Sequence, residues 1–281
     1  MTMGARLDAA AEIRPEDLVD LDRYPIADMD GPAAAALVRR CRDQFDDAVS
    51  CHLPGFLKPD AVRRIVAALP PAERAHLYAV ERGAYNLESP KGAQVQFAAE
   101  DPYARLHRRH QSWYGQDDIG YQSALSALYA WPNLTRFVAA VLDQEPLHTI
   151  DDPLMAVLIN ASSGGDELGW HVDSHDFAVT ILLQEPEAGG LYQYVPFTGP
   201  GDRHYAEVPA LFAGDEHLVR TVPMAPGSLV LFRGRNTLHR VTPSLGARPR
   251  LLALFAYEPV PGRVFHDSFR QNLLGRTRPR A

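Results

Sequence analysis

Residues 169–184 read GWHVDSHDFAVTILLQ, and their reading decides the fold. His171 and Asp173 stand two apart. On a helix such side chains diverge by about 200°; on a strand they point to the same side. The β-rich run FAVTILLQ that follows favours the strand, so one strand edge brings an imidazole and a carboxylate together. A second imidazole, His239, opens the strand-like run LHRVTP after GSLVLFRGRNT. In a sandwich of two sheets, strands distant in sequence face each other, and His239 can complete a three-ligand cluster.

Working outward, the residues from Pro153 to Pro259 keep this texture. MAVLIN, GWHVD, FAVTILLQ, GLYQYVPF, HLVRTVP, GSLVLFRG, LHRVTP and RLLALFAYEP are short runs punctuated by Gly, Pro, Asp and Ser. They predict a mainly β core of the jelly-roll or barrel-like sandwich kind, spanning 151–260. Residues 1–150 read as mostly helical. Pro32 opens a run with Leu37, Val38, Cys41 and Phe45 at i, i+3/i+4 spacing, and Pro59 opens another. SALSALYAW from Ser123 and LTRFVAAVL from Leu134 read as further helices. Tyr78 to Gly120, with ERGAYN and RRHQSWYGQDD, reads as aromatic-rich loop. The tail, 261–281, carries one short helix around HDSFRQNLLGR. A single catalytic domain is expected.

The 281 residues are 46% hydrophobic, enough for a sizeable core, and carry a net charge of −7. With no dense run of Lys and Arg, neither nucleic acid nor an anionic membrane is the expected partner. No apolar run approaches the ~18 residues of a membrane span, and the start, MTMGARLDAAAEIRPEDL, has no apolar core of a signal peptide. The two cysteines, Cys41 and Cys51, read as free thiols, and the expected compartment is the cytoplasm.

Two imidazoles and one carboxylate form a facial triad that holds one face of a metal and leaves the other open, the ligand set of non-haem iron(II) oxygenases. His175 is a rival ligand, but an H-x-x-x-H spacing suits a helix face rather than this β context. With HVD, LHRVTP and RPRLLALFAYEP in place, residues 153–258 resemble the iron(II)/2-oxoglutarate-dependent dioxygenase superfamily. GWHVDSHDFAVTILLQEPEAGG and GSLVLFRGRNTLHRVTP look closest to a bacterial branch of hydroxylases and halogenases acting on free amino acids and similar small metabolites. The resemblance implies a double-stranded β-helix (cupin-like) core, Fe(II), 2-oxoglutarate as co-substrate, dioxygen, and release of succinate and carbon dioxide. It also implies hydroxylation, because halogenating relatives carry Gly or Ala where this chain has Asp173; desaturation and cyclisation remain open.

2-Oxoglutarate needs a cation for its distal carboxylate, and the planar fork of Arg suits it. Arg248 and Arg250 are the candidates; Arg250 leads the strand LLALFAYE, where the resemblance places such a residue. Asn160, eleven residues before His171, matches the spacing of a 2-oxoglutarate-binding Asn in several relatives, although Ser162 stands where many have Tyr. Its other reading is a cap for the turn SSGGD. Arg240 points away from His239 along its strand. For the substrate, expected to be a small molecule such as a free amino acid or derivative, the candidates are Asp176, Arg82, Trp113 and Phe265. Arg105, Arg108, Arg109 and Tyr114 stand beside them. A homodimer is compatible with the sequence. The competing readings of the same three ligands are a zinc hydrolase, a cupin-like isomerase, or a non-catalytic metal-binding domain.

Overall fold

The structure, a computed structural model, describes residues 13–85 and 97–280. The expectation for the first twelve residues, and Asn86 of ERGAYN, lie outside them. In chain order the elements are α1 (Pro15–Leu18), α2 (Pro32–Ala48), β1 (Ser50–Leu53), α3 (Pro59–Ala67), β2 (His76–Gly83) and β3 (Leu106–Tyr114). Then come α4 (Gln116–Ile119), α5 (Ala124–Tyr129), α6 (Pro132–Leu142), β4 (His148–Thr149), β5 (Val157–Ser162), β6 (Asp166–His171) and β7 (Ala178–Gln184). The chain continues through β8 (Ala188–Gly189), β9 (Tyr192–Val195), α7 (Val208–Phe212), β10 (Arg220–Val222) and β11 (Leu229–Phe232). It ends with β12 (Leu238–Leu245), β13 (Arg250–Phe255), β14 (Tyr257–Glu258) and α8 (Asp267–Leu274).

Antiparallel pairing orders the main sheet β1-β11-β7-β13-β5-β3-β6-β12-β9-β10, with β2 on β3 and β8 on β12. It curls into the barrel-like jelly roll expected from the strand runs, and every one of the eight runs contributes a strand. Alternation of side chains divides its first half. Val157, Ile159, Val179, Ile181, Leu229, Leu231, Ala253 and Phe255 pack with Leu37, Cys41 and Phe45 of α2, Val62 and Ile65 of α3, and Leu134 and Phe137 of α6. The residues of opposite parity, among them Leu158, Asn160, Thr180, Val230, Phe232, Leu252 and Leu254, face an interior cavity. Strands buried on both faces read as continuous apolar runs, which is why FAVTILLQ and GSLVLF showed no polar alternation.

The N-terminal half departs from its expected helical texture. α2, α3, α5 and α6 form where the Pro-led and amphipathic runs predicted them. The stretch from Tyr78 to Gly120, expected as loop, contains instead the long hairpin partners β2 and β3, paired from His76↔Trp113 to Gly83↔Leu106. β3 lies between β5 and β6 in the main sheet, and β1 pairs with β11. The core sheet therefore draws strands from both sides of residue 150.

Candidate active site

β6 ends on His171, and β12 brings His239 directly opposite it in register. The imidazole centroids are 4.0 Å apart. Asp173 sits just beyond the strand end rather than on the strand, its backbone N–H donating to the Gly234 carbonyl (3.0 Å). Its Oδ1 lies 3.6 Å from His171 Nε2 and 3.5 Å from His239 Nε2. One ligand atom from each residue falls within 4.8 Å of the others, the sole such cluster of three His, Cys, Asp or Glu among the described residues.

The imidazoles are oriented from behind. His171 Nδ1 meets the Gly169 carbonyl at 2.9 Å and His239 Nδ1 meets the Thr237 carbonyl at 2.8 Å. A carbonyl only accepts, so each Nδ1 carries a hydrogen and each Nε2 is the ring nitrogen turned towards the cluster. Burial, with His239 alongside, pushes the His171 pKa well down. Burial alone would raise the Asp173 pKa, but His239 and His171 outweigh it and hold the carboxyl below the ordinary carboxylate range. Neutral imidazole and ionised carboxylate are the forms a metal ion requires. Two imidazole nitrogens and a carboxylate oxygen so grouped are a facial-triad donor set, which fits iron(II). His175 is turned elsewhere: its Nε2 is 3.5 Å from Glu258 Oε1 and its ring packs edge-on to Phe265.

Arg250, first residue of β13, is 2% exposed. Its Nε donates to the Gly190 carbonyl (3.0 Å), while its buried Nη1 has no partner among the described residues. Burial lowers its pKa to about 10, leaving it charged at neutral pH. Tyr192 on β9 also lines the cavity, buried, with its hydroxyl unpartnered among the described residues. An unpaired guanidinium nitrogen and a phenol in one buried pocket fit the distal carboxylate of 2-oxoglutarate, since buried polar groups otherwise find partners. Tyr192 was missed in the sequence. Its place shows only in the strand pairing: β9 meets β12 through Tyr192↔Val241 and Tyr194↔His239, which puts the tyrosines of YQY on the face of His239. Arg248 is exposed, donates to the Pro186 carbonyl and does not line the cavity. Asn160 does not cap the SSGGD turn; it is buried within β5, lines the cavity and donates to Gln111 Oε1 (2.7 Å). Arg240 faces outward over the Trp170 ring, bonded to Gln193 and Glu216.

The cavity, about 320 Å³, continues past the triad between the β2–β3 hairpin and the C-terminal segment. Tyr78 and Arg82 on β2, and Arg109, Gln111 and Trp113 on β3, share the hairpin face that lines it. Arg109 Nη2 donates to the Gly83 carbonyl, whereas its Nε and the Trp113 Nε1 are buried without partners among the described residues. Phe265, Phe269 and Leu273 form the opposing wall, and Glu258 adds a carboxylate that the sequence reading overlooked. Asp176, by contrast, is exposed, 3.6 Å from Arg235, and takes no part in the lining. Arg105, Arg108 and Tyr114 are likewise outside it.

Several solved structures share this fold. One is a 2OG-Fe(II) oxygenase family oxidoreductase from Burkholderia pseudomallei, at TM-score 0.50 and 15% identity over 80% of this chain and 92% of that one. HygX from Streptomyces hygroscopicus, solved with nickel and 2-oxoglutarate, aligns at TM-score 0.52 and 16% identity over 79% and 87%. The non-haem α-ketoglutarate-dependent carbocyclase SnoK of nogalamycin biosynthesis aligns at TM-score 0.52 and 15% identity over 80% and 85%. No curated protein matches in sequence. The family model described as Halogenase D matches residues 80–260, a span that holds most of the hairpin, the triad and Arg250. The chain therefore belongs to the Halogenase D family, and its fold is the one seen in solved 2-oxoglutarate-dependent oxygenases.

Proposed function

We propose that the protein hydroxylates a C–H bond of a small polar metabolite, a free amino acid or close derivative, using iron(II), 2-oxoglutarate and dioxygen. The observation that carries this reading is the meeting, in one cavity, of the His171–Asp173–His239 cluster with a buried arginine whose Nη1 has no partner among the described residues. A zinc hydrolase or a cupin-like isomerase needs the three ligands but has no use for Arg250.

Iron(II) with 2-oxoglutarate and dioxygen supplies the oxidising power for an unactivated C–H bond, while 2-oxoglutarate becomes succinate and carbon dioxide. The chain's own residues do the rest. His171, His239 and Asp173 hold the ion by three positions. Arg250 and Tyr192 receive the distal carboxylate, and Asn160 with Gln111 flanks that pocket. Arg109 and Arg82 supply cationic charge for a substrate carboxylate, Glu258 an acceptor for an ammonium, and Trp113 and Phe265 the walls. Asp173 occupies the protein-side position that a halide would need, so hydroxylation is favoured over halogenation despite the family's description.

The test is succinate release with Fe(II), 2-oxoglutarate, ascorbate and oxygen across a panel of free amino acids, read by mass. Succinate coupled to the gain of one oxygen atom on a panel member supports the proposal. Succinate with a chlorinated product overturns the hydroxylase reading. No succinate under any condition overturns the oxygenase reading in favour of a hydrolase.

A further inference from the structure

We infer that Gly234 is a positioning residue for the metal-binding carboxylate: Asp173 reaches the metal cluster because residue 234 has no side chain. The inference rests on Asp173 being a ligand, and it concerns how the chain places it.

Gly234 opens the single turn Gly234–Asn236 after β11 and is buried. Its backbone lies outside the left-handed region, so an L-residue is conformationally acceptable there. Space is the obstacle. The three atoms nearest a β-carbon at 234 all belong to Asp173: Cγ at 2.7 Å, Cβ at 2.8 Å, and Oδ2 closer still. A methyl group and this carboxylate compete for one volume. The two oxygens of Asp173 thus have separate seats, Oδ1 between the imidazoles and Oδ2 over the bare Cα of Gly234.

The backbones of the two loops are tied together, by Asp173 N–H to the Gly234 carbonyl and by Arg235 Nη1 to the Ser174 carbonyl (3.1 Å). With the loops docked, the side chain of Asp173 is what yields. His171 and His239 are held separately, at Gly169 and Thr237. Gly234→Ala therefore removes the third ligand and spares the two imidazoles.

The experiment is anaerobic titration of the full-length, metal-free protein with Co(II), a spectroscopic substitute for Fe(II), together with thermal melts of the metal-free forms. Wild type, Gly234→Ala, Asp173→Ala and the double variant are compared. Both single variants should weaken Co(II) binding by about 10–100-fold, the range for altered support of a ligand. The double variant should bind no more weakly than Asp173→Ala. In the melts, Gly234→Ala should lower the midpoint when Asp173 is present and leave it unchanged or higher when Asp173 is absent. If Gly234→Ala alone fails to fold, recovery of folding in the double variant is the same coupling. Wild-type binding and spectrum in Gly234→Ala, or additive losses in the double variant, overturn the inference. Wild-type Co(II) binding in Asp173→Ala overturns the ligand assignment instead, and the melts then still decide the steric claim.

Discussion

At the scale of single residues, the site is a set of groups whose protonation and direction are fixed by what stands behind them. His171→Ala or His239→Ala should abolish Fe(II) binding and turnover with an unchanged far-ultraviolet circular dichroism spectrum, because the sheet's core lies on the other face of the strands. Retained turnover in either variant would refute the triad. Arg250→Ala should raise the KM for 2-oxoglutarate on the order of 30-fold or more, the loss of about 2–5 kcal/mol typical of a buried charged contact. Arg248→Ala should leave it unchanged, because that side chain is exposed and bonded to Pro186. An Arg248 effect equal to the Arg250 effect would reverse the assignment. The pair His171 and Asp173 was legible as a spacing of two, although Asp173 lies just past the end of β6 and is aimed by its docked loop rather than by the strand's pleat. Gly234 and Tyr192 were not, since each acts on a partner about 50–60 residues away in sequence that only strand pairing reveals.

At the scale of elements, the β2–β3 hairpin shows why part of the fold escaped the sequence. Strand prediction expects apolar residues on the buried face. Here the cavity face carries Tyr78, Arg82, Arg109, Gln111 and Trp113, polar groups turned inward, so the amphipathic pattern is inverted and reads as loop. The opposing wall is held by a different device. Asp152, fully buried, accepts from the backbone N–H groups of Leu154, Met155 and Phe265 and from Arg270 Nε and Nη2. One carboxylate thereby fastens the segment bearing Phe265, Phe269 and Leu273 to the start of β5. Removing one partner of a buried pair costs about 3–5 kcal/mol. Arg270→Ala should therefore lower the urea midpoint and, once a substrate is identified, raise its KM while the KM for 2-oxoglutarate stays constant. An equal rise in both would show that the segment supports the whole site rather than one wall.

At the scale of the whole molecule, the eight C-terminal runs and the four longer helices were legible because burial on both faces and Pro-led amphipathic turns leave clear periods. The site lies inside the curled main sheet, which the period alone does not locate. The same enclosure leaves a mark on the pH dependence of stability. His171, His107, His52 and His76 all have pKa values lowered from the ordinary 6.5, burial being the first cause in each, and His107 falls to about 4. A lowered histidine pKa means that the unfolded chain binds the proton more readily. Stability from these groups is then fully present above pH 6.5 and declines as the pH falls below it, for His107 until about pH 4. His217, raised by Asp215, acts in the opposite direction, but it is an exposed pair and contributes little. The metal-free protein should therefore show a urea midpoint that drops between about pH 7.5 and pH 5.5. His107→Gln should reduce that drop, because it removes the group whose pKa His107 carries down to about 4. A midpoint that is flat or rises towards pH 5.5 would mean that these histidines are hydrated in the folded protein, and that the enclosure on which the site's orientation depends is absent in solution.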